Sequence, residues 1–196
     1  MTSIHQLPEG NWYIPEGSNL PDLPTQQQGL LQRILLNVTR KKAKSESNLN
    51  VFLMLARLGA IFPRYLLFLS HLLMKGRISR IDKELLILHT AWRLGCVYEW
   101  GHHVQMAKEL GISDEYILSM ASSDSIHWSE RTRTLLKGVD ELIDHKRISA
   151  ETWRDLSTYF NADQLVEFCI LIGHYIMVAI TINSTGVCLE ASYLER

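Results

Sequence analysis

From Thr25 onward the chain places apolar residues three or four positions apart, the spacing that gives an α-helix one apolar face. The first such segment carries Leu30, Leu31, Ile34, Leu35 and Val38. No segment of useful length alternates apolar and polar residues, as a half-buried β-strand would. The pattern therefore predicts an all-α domain.

Turn and capping residues divide this helical region. The segment Ser79-Arg80-Ile81-Asp82 is typical of a helix start, and Gly95 is expected to end that helix. The next helix is predicted from Cys96 to Leu110, with Gly111 as its stop. Two helices joined by a glycine turn predict an antiparallel helical hairpin.

The first 24 residues differ from the rest of the chain because they contain four of its five prolines. We expect an irregular N-terminal arm over residues 1–24 and a single helical domain over residues 25–196. Trp12, Tyr13 and Ile14 give the arm apolar side chains that should pack on its own domain or on a neighbouring subunit.

Bulk composition narrows the function classes. With 46% hydrophobic and 21% charged residues the chain is globular, and a net charge of −1 favours neither a nucleic acid nor an anionic membrane as partner. The apolar run from Leu165 to Ile182 contains Glu167 and His174, which favours a buried core helix over a membrane span. An odd number of cysteines, three, and no apparent signal peptide favour the cytoplasm.

The predicted hairpin carries the candidate chemistry. On a helix, Cys96, Glu99 and His103 are spaced i, i+3 and i+7 and share one stripe, where Glu99 and His103 are close enough to hydrogen-bond directly. Glu84 precedes Cys96 by twelve residues, so the hairpin can bring it alongside this stripe.

Acid–base catalysis uses every residue of the stripe. Glu99 and His103 can move a proton on and off a small molecule, while Glu84 orients the imidazole. Tyr98 and Trp100 are available to shape a substrate pocket.

Thiol chemistry is a second interpretation. A helix N-terminus favours the Cys96 thiolate, but the neighbouring Glu99 disfavours it. The candidate resolving thiols, Cys169 and Cys188, are distant in sequence and are expected to be buried.

Metal binding and a purely structural role complete the alternatives. Glu99-Trp100-Gly101-His102 is one half of an E-x-x-H di-iron motif, but the chain has no second half, so we expect no metal and no cofactor. In a structural role, Glu99 and His103 would form a surface ion pair, and Cys96 would pack as a small apolar residue.

From about Asn50 to Glu190 the chain resembles the carboxymuconolactone decarboxylase superfamily, which includes the alkylhydroperoxidase-D-like (AhpD-like) proteins. The stretch GRISRIDKELLILHTAWRLGCVYEWGHHVQMAKELGISDEYI carries most of this resemblance. It contains the C-x-Y-E-W-x-x-H pattern of one subgroup. The resemblance implies an AhpD-like helical bundle and a homo-oligomer such as a dimer, trimer or hexamer.

Residue by residue, Glu84, Cys96 and His103 match the motif of the AhpD-like branch, whereas Glu99 stands where that branch has its second cysteine. The resemblance therefore implies Glu/His proton transfer more than a disulfide-cycling peroxidase. It also marks two histidines as particular to this chain. His102 and His174 join Tyr98 and Trp100 as candidate substrate-binding residues.

The sequence thus predicts a lyase- or isomerase-type enzyme that acts on a small organic acid, lactone or enone. Its catalytic set is Glu84, Cys96, Glu99 and His103. A thiol-dependent peroxidase using Cys96 and a non-catalytic oligomeric binding protein remain alternatives.

Overall fold

The computed structural model describes residues 7–43, 45–190 and 193, and in this part of the chain it contains α-helices and no strand. The predicted all-α fold is confirmed. In chain order the helices are α1 (Leu30–Lys42), α2 (Asn50–Ala56), α3 (Phe62–Met74), α4 (Arg80–Arg93), α5 (Val97–Glu109), α6 (Asp114–Ser119), α7 (Glu130–His145), α8 (Ala150–Leu156) and α9 (Ala162–Thr185). Short 3₁₀ turns lie at Thr25–Gln27 and Gly59–Ile61.

Helix α4 is the central element, because it packs against α5, α7 and α9. Its start is fixed by Ser79, whose hydroxyl accepts a hydrogen bond from the backbone N–H of Asp82 at 3.0 Å. At the other end Gly95 adopts a left-handed φ of +62° and turns the chain into α5. The predicted hairpin is therefore present, with Cys96 and Leu110 as the caps of α5.

The described part of the N-terminal arm packs on its own domain. A side chain at Gly95 would place its Cβ 2.1 Å from the carbonyl oxygen of Asn11, so the arm needs glycine at this turn. The backbone N–H of Tyr13 donates to the carbonyl oxygen of Gly95 at 2.8 Å. Further along, the N–H of Asn19 donates to the carbonyl oxygen of Thr185 at 2.9 Å, which ties the arm to the end of α9.

Helix α9 crosses the core. By length and composition α9 is apolar enough to span a membrane. The same would hold for α2 and α3 if they were counted together as one bent span. Half of the most apolar 18-residue segment of α9 is buried inside the molecule. An ion pair between buried Lys83 and partly buried Glu167, with Nζ and Oε1 2.9 Å apart, joins α9 to α4.

Helix α1 differs from the core helices in the direction of its apolar face. The predicted helix is present, but Leu30, Leu31, Ile34 and Val38 are exposed, and Leu36 is its buried apolar residue. The spacing of apolar residues in this segment thus predicts the helix correctly, but it does not show which face of the helix is buried.

Candidate functional site

The candidate site lies on the hairpin of α4 and α5, where α5 separates two groups of buried apolar side chains. Cys96 and Tyr98 pack in one group, whereas Trp100 and Val104 pack in the other. Between them the helix buries one carboxyl group and two imidazoles, those of Glu99, His102 and His103. Burying so many polar groups in one helix is costly unless each finds a partner.

His103 finds its partner in Glu84 across the hairpin. His103 Nδ1 and Glu84 Oε2 are 2.6 Å apart, and both residues are only 6% exposed. A carboxylate in this position accepts the proton on Nδ1, which leaves Nε2 as the basic nitrogen of a neutral imidazole. The sequence-predicted juxtaposition of Glu84 with the α5 stripe is therefore observed.

Glu99 has no such partner. It is 3% exposed, and neither of its carboxyl oxygens forms a hydrogen bond. The direct hydrogen bond between Glu99 and His103 that their i, i+4 spacing allows is not formed, because the imidazole turns to Glu84 instead. Burial without a partner raises the pKa of Glu99 well above its ordinary value.

Aromatic side chains from α3 and α9 complete the surroundings of Glu99. Burial and the nearby charge of Glu99 raise the pKa of Tyr65, and burial with the charges of Glu84 and Glu99 raises that of Tyr175. The Tyr175 ring also meets the imidazole of His103 edge to face, with centroids 5.1 Å apart. No sequence pattern pointed to Tyr65, since it lies in an apolar helix far from the motif.

His174 belongs to the same neighbourhood. Its Nε2 is 3.2 Å from the Tyr65 hydroxyl, and its ring stacks on Tyr65 and meets Tyr175 edge to face. Burial lowers the pKa of His174 to about 4, so its imidazole is neutral at neutral pH and can accept the phenol proton in a hydrogen bond. Of the four residues considered for substrate binding, His174 is the one that borders the groups around Glu99.

Tyr98 and His102 instead form a separate polar cluster with Glu190. The Tyr98 hydroxyl donates to Glu190 Oε1 at 2.6 Å, and His102 Nε2 lies 2.7 Å from Glu190 Oε2. Although burial opposes ionisation, these bonds hold the pKa of Glu190 below its ordinary value. Glu190 lies more than eighty residues from α5 in sequence, so spacing could not reveal it.

Trp100 lies in the larger core rather than at the surface of a pocket. It is 1% exposed and meets Trp12 of the arm edge to face, with ring centroids 5.3 Å apart. Its indole N–H is buried without a hydrogen-bond partner. This position suits a packing side chain that anchors the arm.

Cys96 is fully buried at the N-terminal cap of α5. Burial and the charge of Glu99 raise the pKa of its thiol well above the ordinary value, despite backbone hydrogen bonds that favour the thiolate. The expectation that Cys169 and Cys188 are buried is wrong, since both are only partly covered. All three cysteines are free thiols.

Two surface cavities, of about 170 and 420 Å³, lie elsewhere on the molecule. The smaller one opens between the arm and α2, and the larger one beside α1; neither is lined by Glu99 or His103. Because Glu99 and His103 are nearly covered, a substrate reaches them only if neighbouring side chains move. In the described part of the chain, no group of three or more His, Cys, Asp or Glu side chains is placed to hold a metal ion.

Comparison with known proteins supports the predicted resemblance. Residues 60–141 match the model of the Carboxymuconolactone decarboxylase family, and this segment contains Glu84, Cys96, Glu99 and His103. No curated protein matches the chain.

Several solved structures share the fold. The alkylhydroperoxidase AhpD core protein of Ralstonia eutropha JMP134, an uncharacterized peroxidase-related protein, has a TM-score of 0.80 at 15% identity, covering 90% of this chain and 94% of that chain. A peroxidase-related protein of Silicibacter sp. TM1040 has a TM-score of 0.78 at 13% identity, covering 95% and 99%. The debrominase Bmp8 has a TM-score of 0.70 at 12% identity, covering 89% and 95%. At such identities the likeness shows a common AhpD-like helical fold.

The surroundings of Cys96 generate a first prediction. When the native protein is treated with iodoacetamide at neutral pH, we expect Cys96 to stay unmodified while the partly exposed Cys188 reacts, because Cys96 is covered and protonated. Peptide mass spectrometry measures both sites, and the urea-unfolded protein, in which all three cysteines should react, is the control. Modification of Cys96 as fast as Cys188 would contradict the assignment of an unreactive thiol.

Proposed function

We propose that this chain, whose residues 60–141 match the model of the Carboxymuconolactone decarboxylase family, is an enzyme that transfers a proton on a small organic acid, lactone or enone. The observation that carries the proposal is the buried 2.6 Å contact between His103 and Glu84. A carboxylate that holds one ring nitrogen fixes the tautomer and the orientation of the imidazole, as general base catalysis requires.

In this proposal His103 Nε2 is the general base and Glu84 is the residue that positions it. The base removes a proton from carbon next to a carbonyl group, and the electron pair of the broken C–H bond moves toward the carbonyl oxygen. Return of the proton at another carbon gives an isomer. Where that carbon carries a carboxylate, the C–CO₂ bond breaks in place of the C–H bond: CO₂ leaves, the electron pair moves toward the carbonyl oxygen, and a proton from the protonated site replaces CO₂ on the carbon. Glu99 lies one turn from His103 and is the second proton carrier.

The buried thiol supports proton transfer over the peroxidase alternative. A peroxide-reducing cysteine acts as a thiolate, and Cys96 combines full burial with a raised pKa. In the proposed enzyme Cys96 contacts the site without supplying chemistry. Three free thiols and a net charge of −1 further support a cytoplasmic enzyme of small molecules, with neither nucleic acid nor membrane as partner.

We also propose that the enzyme is a homo-oligomer in which two copies of α9 pair. The exposed residues of α9 follow a spacing of four and three that forms a straight stripe on a helix: Val166, Ile170, Gly173, Met177 and Ile180. In an antiparallel pair centred near Gly173, Val166 of one copy faces Ile180 of the other, and Ile170 comes within one residue of facing Met177. Such self-complementarity is what a two-fold interface requires.

The surface around the stripe also suits a second copy. A Cβ at Gly173 would meet no atom within 4 Å, so the two helices can approach closely there. No Asp, Glu, Lys or Arg occurs between residues 168 and 185, which leaves the interface core uncharged. Exposed Phe68, whose ring is 5.5 Å from that of His174, extends this apolar surface to the edge of the candidate site. A contiguous exposed apolar surface of this kind is typical of an interaction surface.

Catalysis is tested by hydrogen–deuterium exchange. Incubated in D₂O with a panel of 2-cyclohexen-1-one, an unsaturated five-membered lactone and a β-keto acid, the wild-type protein should speed exchange beside the carbonyl group of at least one compound. His103→Gln should slow that exchange by about 10²–10⁴-fold, the usual contribution of a general base. Glu84→Gln should slow it by at least about tenfold, because the ring loses its orienting carboxylate. Proton NMR measures the rates.

The exposed His127→Gln variant is the matched control and should exchange at the wild-type rate. An exchange rate in His103→Gln equal to that of the wild type would exclude the mechanism. Absence of exchange with every compound would instead support the non-catalytic binding protein.

Oligomerisation is tested by light scattering after size-exclusion chromatography. We expect the wild type to elute as a dimer or larger assembly and Met177→Glu to elute at a reduced mass, because the substitution puts a charge into the α9 interface. Ile34→Glu, on the exposed apolar face of α1, is the control and should keep the wild-type mass. A monomeric wild type, or dissociation caused by Ile34→Glu alone, would contradict the assignment of α9; circular dichroism verifies that the variants fold.

A further inference from the structure

Glu99 differs from the other buried acids of the described residues. Glu84 is paired with His103, Glu190 with His102, and Asp82 with Arg131. Both oxygens of Glu99 are buried without a hydrogen bond, although the residue is only 3% exposed. Buried polar groups in folded proteins almost always have partners, so an unpaired one beside a catalytic base indicates a group reserved for a ligand.

The charges around Glu99 determine the form in which it meets that ligand. Its identified neighbours are a thiol and two phenols, those of Cys96, Tyr65 and Tyr175, and none of these groups can carry a positive charge that would stabilise an ionised Glu99. None of the ion pairs in the described chain involves Glu99. The buried and half-buried cations pair elsewhere, as in Lys83–Glu167, Arg131–Asp82 and Arg93–Asp140.

A carboxyl group that is buried without a cation or a hydrogen-bond donor keeps its proton, because the charged form would lose its hydration without compensation. A protonated carboxyl group has one O–H to donate. Glu99 therefore enters the reaction as a hydrogen-bond donor rather than as a second base, and the pair consists of one base, His103, and one acid, Glu99.

We propose that the site takes an uncharged carbonyl compound, such as an enone, ketone or lactone, whose carbonyl oxygen accepts a hydrogen bond from protonated Glu99. This inference rests on the proposed proton-transfer function and narrows its substrate class. His103 Nε2 takes the proton as the C–H bond breaks, and an N–H bond forms. The electron pair moves into an enol whose oxygen is stabilised by, or receives, the Glu99 proton; the reverse step restores both groups.

The same surroundings disfavour an organic acid. A substrate carboxylate would bring a second negative charge close to Glu84, in a covered site where the described chain places no cation. The charge would lose hydration on entry and gain no ion pair. Of the three substrate classes that the sequence predicts, the small organic acid is therefore the one that the site rejects.

Two isosteric ligands distinguish a site for uncharged carbonyl compounds from a site for organic acids. Binding of 3-oxocyclohex-1-ene-1-carboxamide and of 3-oxocyclohex-1-ene-1-carboxylate is compared by ligand-observed NMR, which requires no turnover. We expect the neutral carboxamide to bind at least about tenfold more tightly than the carboxylate, since the site compensates no negative charge. Equal or tighter binding of the carboxylate, or binding of neither compound, would overturn the proposal.

Variants of Glu99 test its role as a donor. Glu99→Gln keeps an uncharged side chain with N–H donors, whereas Glu99→Leu keeps a similar volume without a donor. We expect Gln to retain exchange of the neutral enone within about tenfold of the wild type and Leu to lose about 10²–10³-fold, the usual effect of removing a donor to a developing oxyanion. Equal losses in both folded variants would show that Glu99 acts ionised, against the proposal.

The protonation state of Glu99 can be observed directly by infrared spectroscopy. The infrared spectrum of the wild type at neutral pH should contain the C=O stretch of a protonated carboxyl group that is missing in Glu99→Gln. This band and the ligand preference do not depend on the role of His103. If His103→Gln left exchange unchanged, the proton-transfer mechanism would fail while the neutral-ligand preference could still be measured.

Discussion

The hydrogen bond between His103 and Glu84 is the interaction on which the rest of the site depends. It joins the two helices of the hairpin at a point where both side chains are nearly covered, so neither can reach water as an alternative partner. Removing one partner of such a buried pair leaves the other without compensation, which is strongly destabilising. The bond therefore fixes the register of α4 against α5 and the orientation of the imidazole together.

This pairing also explains why Glu99 is left unpaired. His103 follows Glu99 by one helical turn and would be its natural partner on an isolated helix. Once α4 brings Glu84 to the imidazole, Glu99 is left among phenols, a thiol and apolar side chains. Two carboxyl groups on one hairpin thus occupy different environments: Glu84 is bonded to an imidazole, and burial without a partner raises the pKa of Glu99 well above its ordinary value. Two titratable groups whose environments differ in this way are usually assigned as one acid and one base.

Local periodicity predicted much of this arrangement. The caps at Ser79 and Gly95, the hairpin and the stripe of Cys96, Glu99 and His103 follow from helix geometry and turn residues, which act over a few positions. The short turn between α4 and α5 allowed Glu84 to lie beside the stripe, but the sequence alone did not determine the register of the two helices. The sequence offered His103 two partners, Glu99 by helix spacing and Glu84 across the hairpin, and tertiary packing decides for Glu84.

Long-range contacts account for what the sequence did not show. Tyr65 and Glu190 lie far from the motif, and no spacing rule connects either residue to α5. Tyr98 and His102 fall within the motif, yet their partner Glu190 draws them into a second cluster. The apolar residues of α1 are periodic but exposed, because periodicity defines a helix face and not its neighbour. The division of the chain at residue 24 and the catalytic roles themselves stay predictions.

The central claim is that Glu84 holds the His103 imidazole with Nε2 free to act as a base. Nitrogen-15 NMR of the histidine side chains, with His103 assigned by comparison with His103→Gln, measures this directly. In the neutral form of His103 we predict a protonated Nδ1 and an unprotonated Nε2, and in Glu84→Gln a loss of this preference. A neutral imidazole with its proton on Nε2, or a tautomer unaffected by Glu84→Gln, would contradict the account.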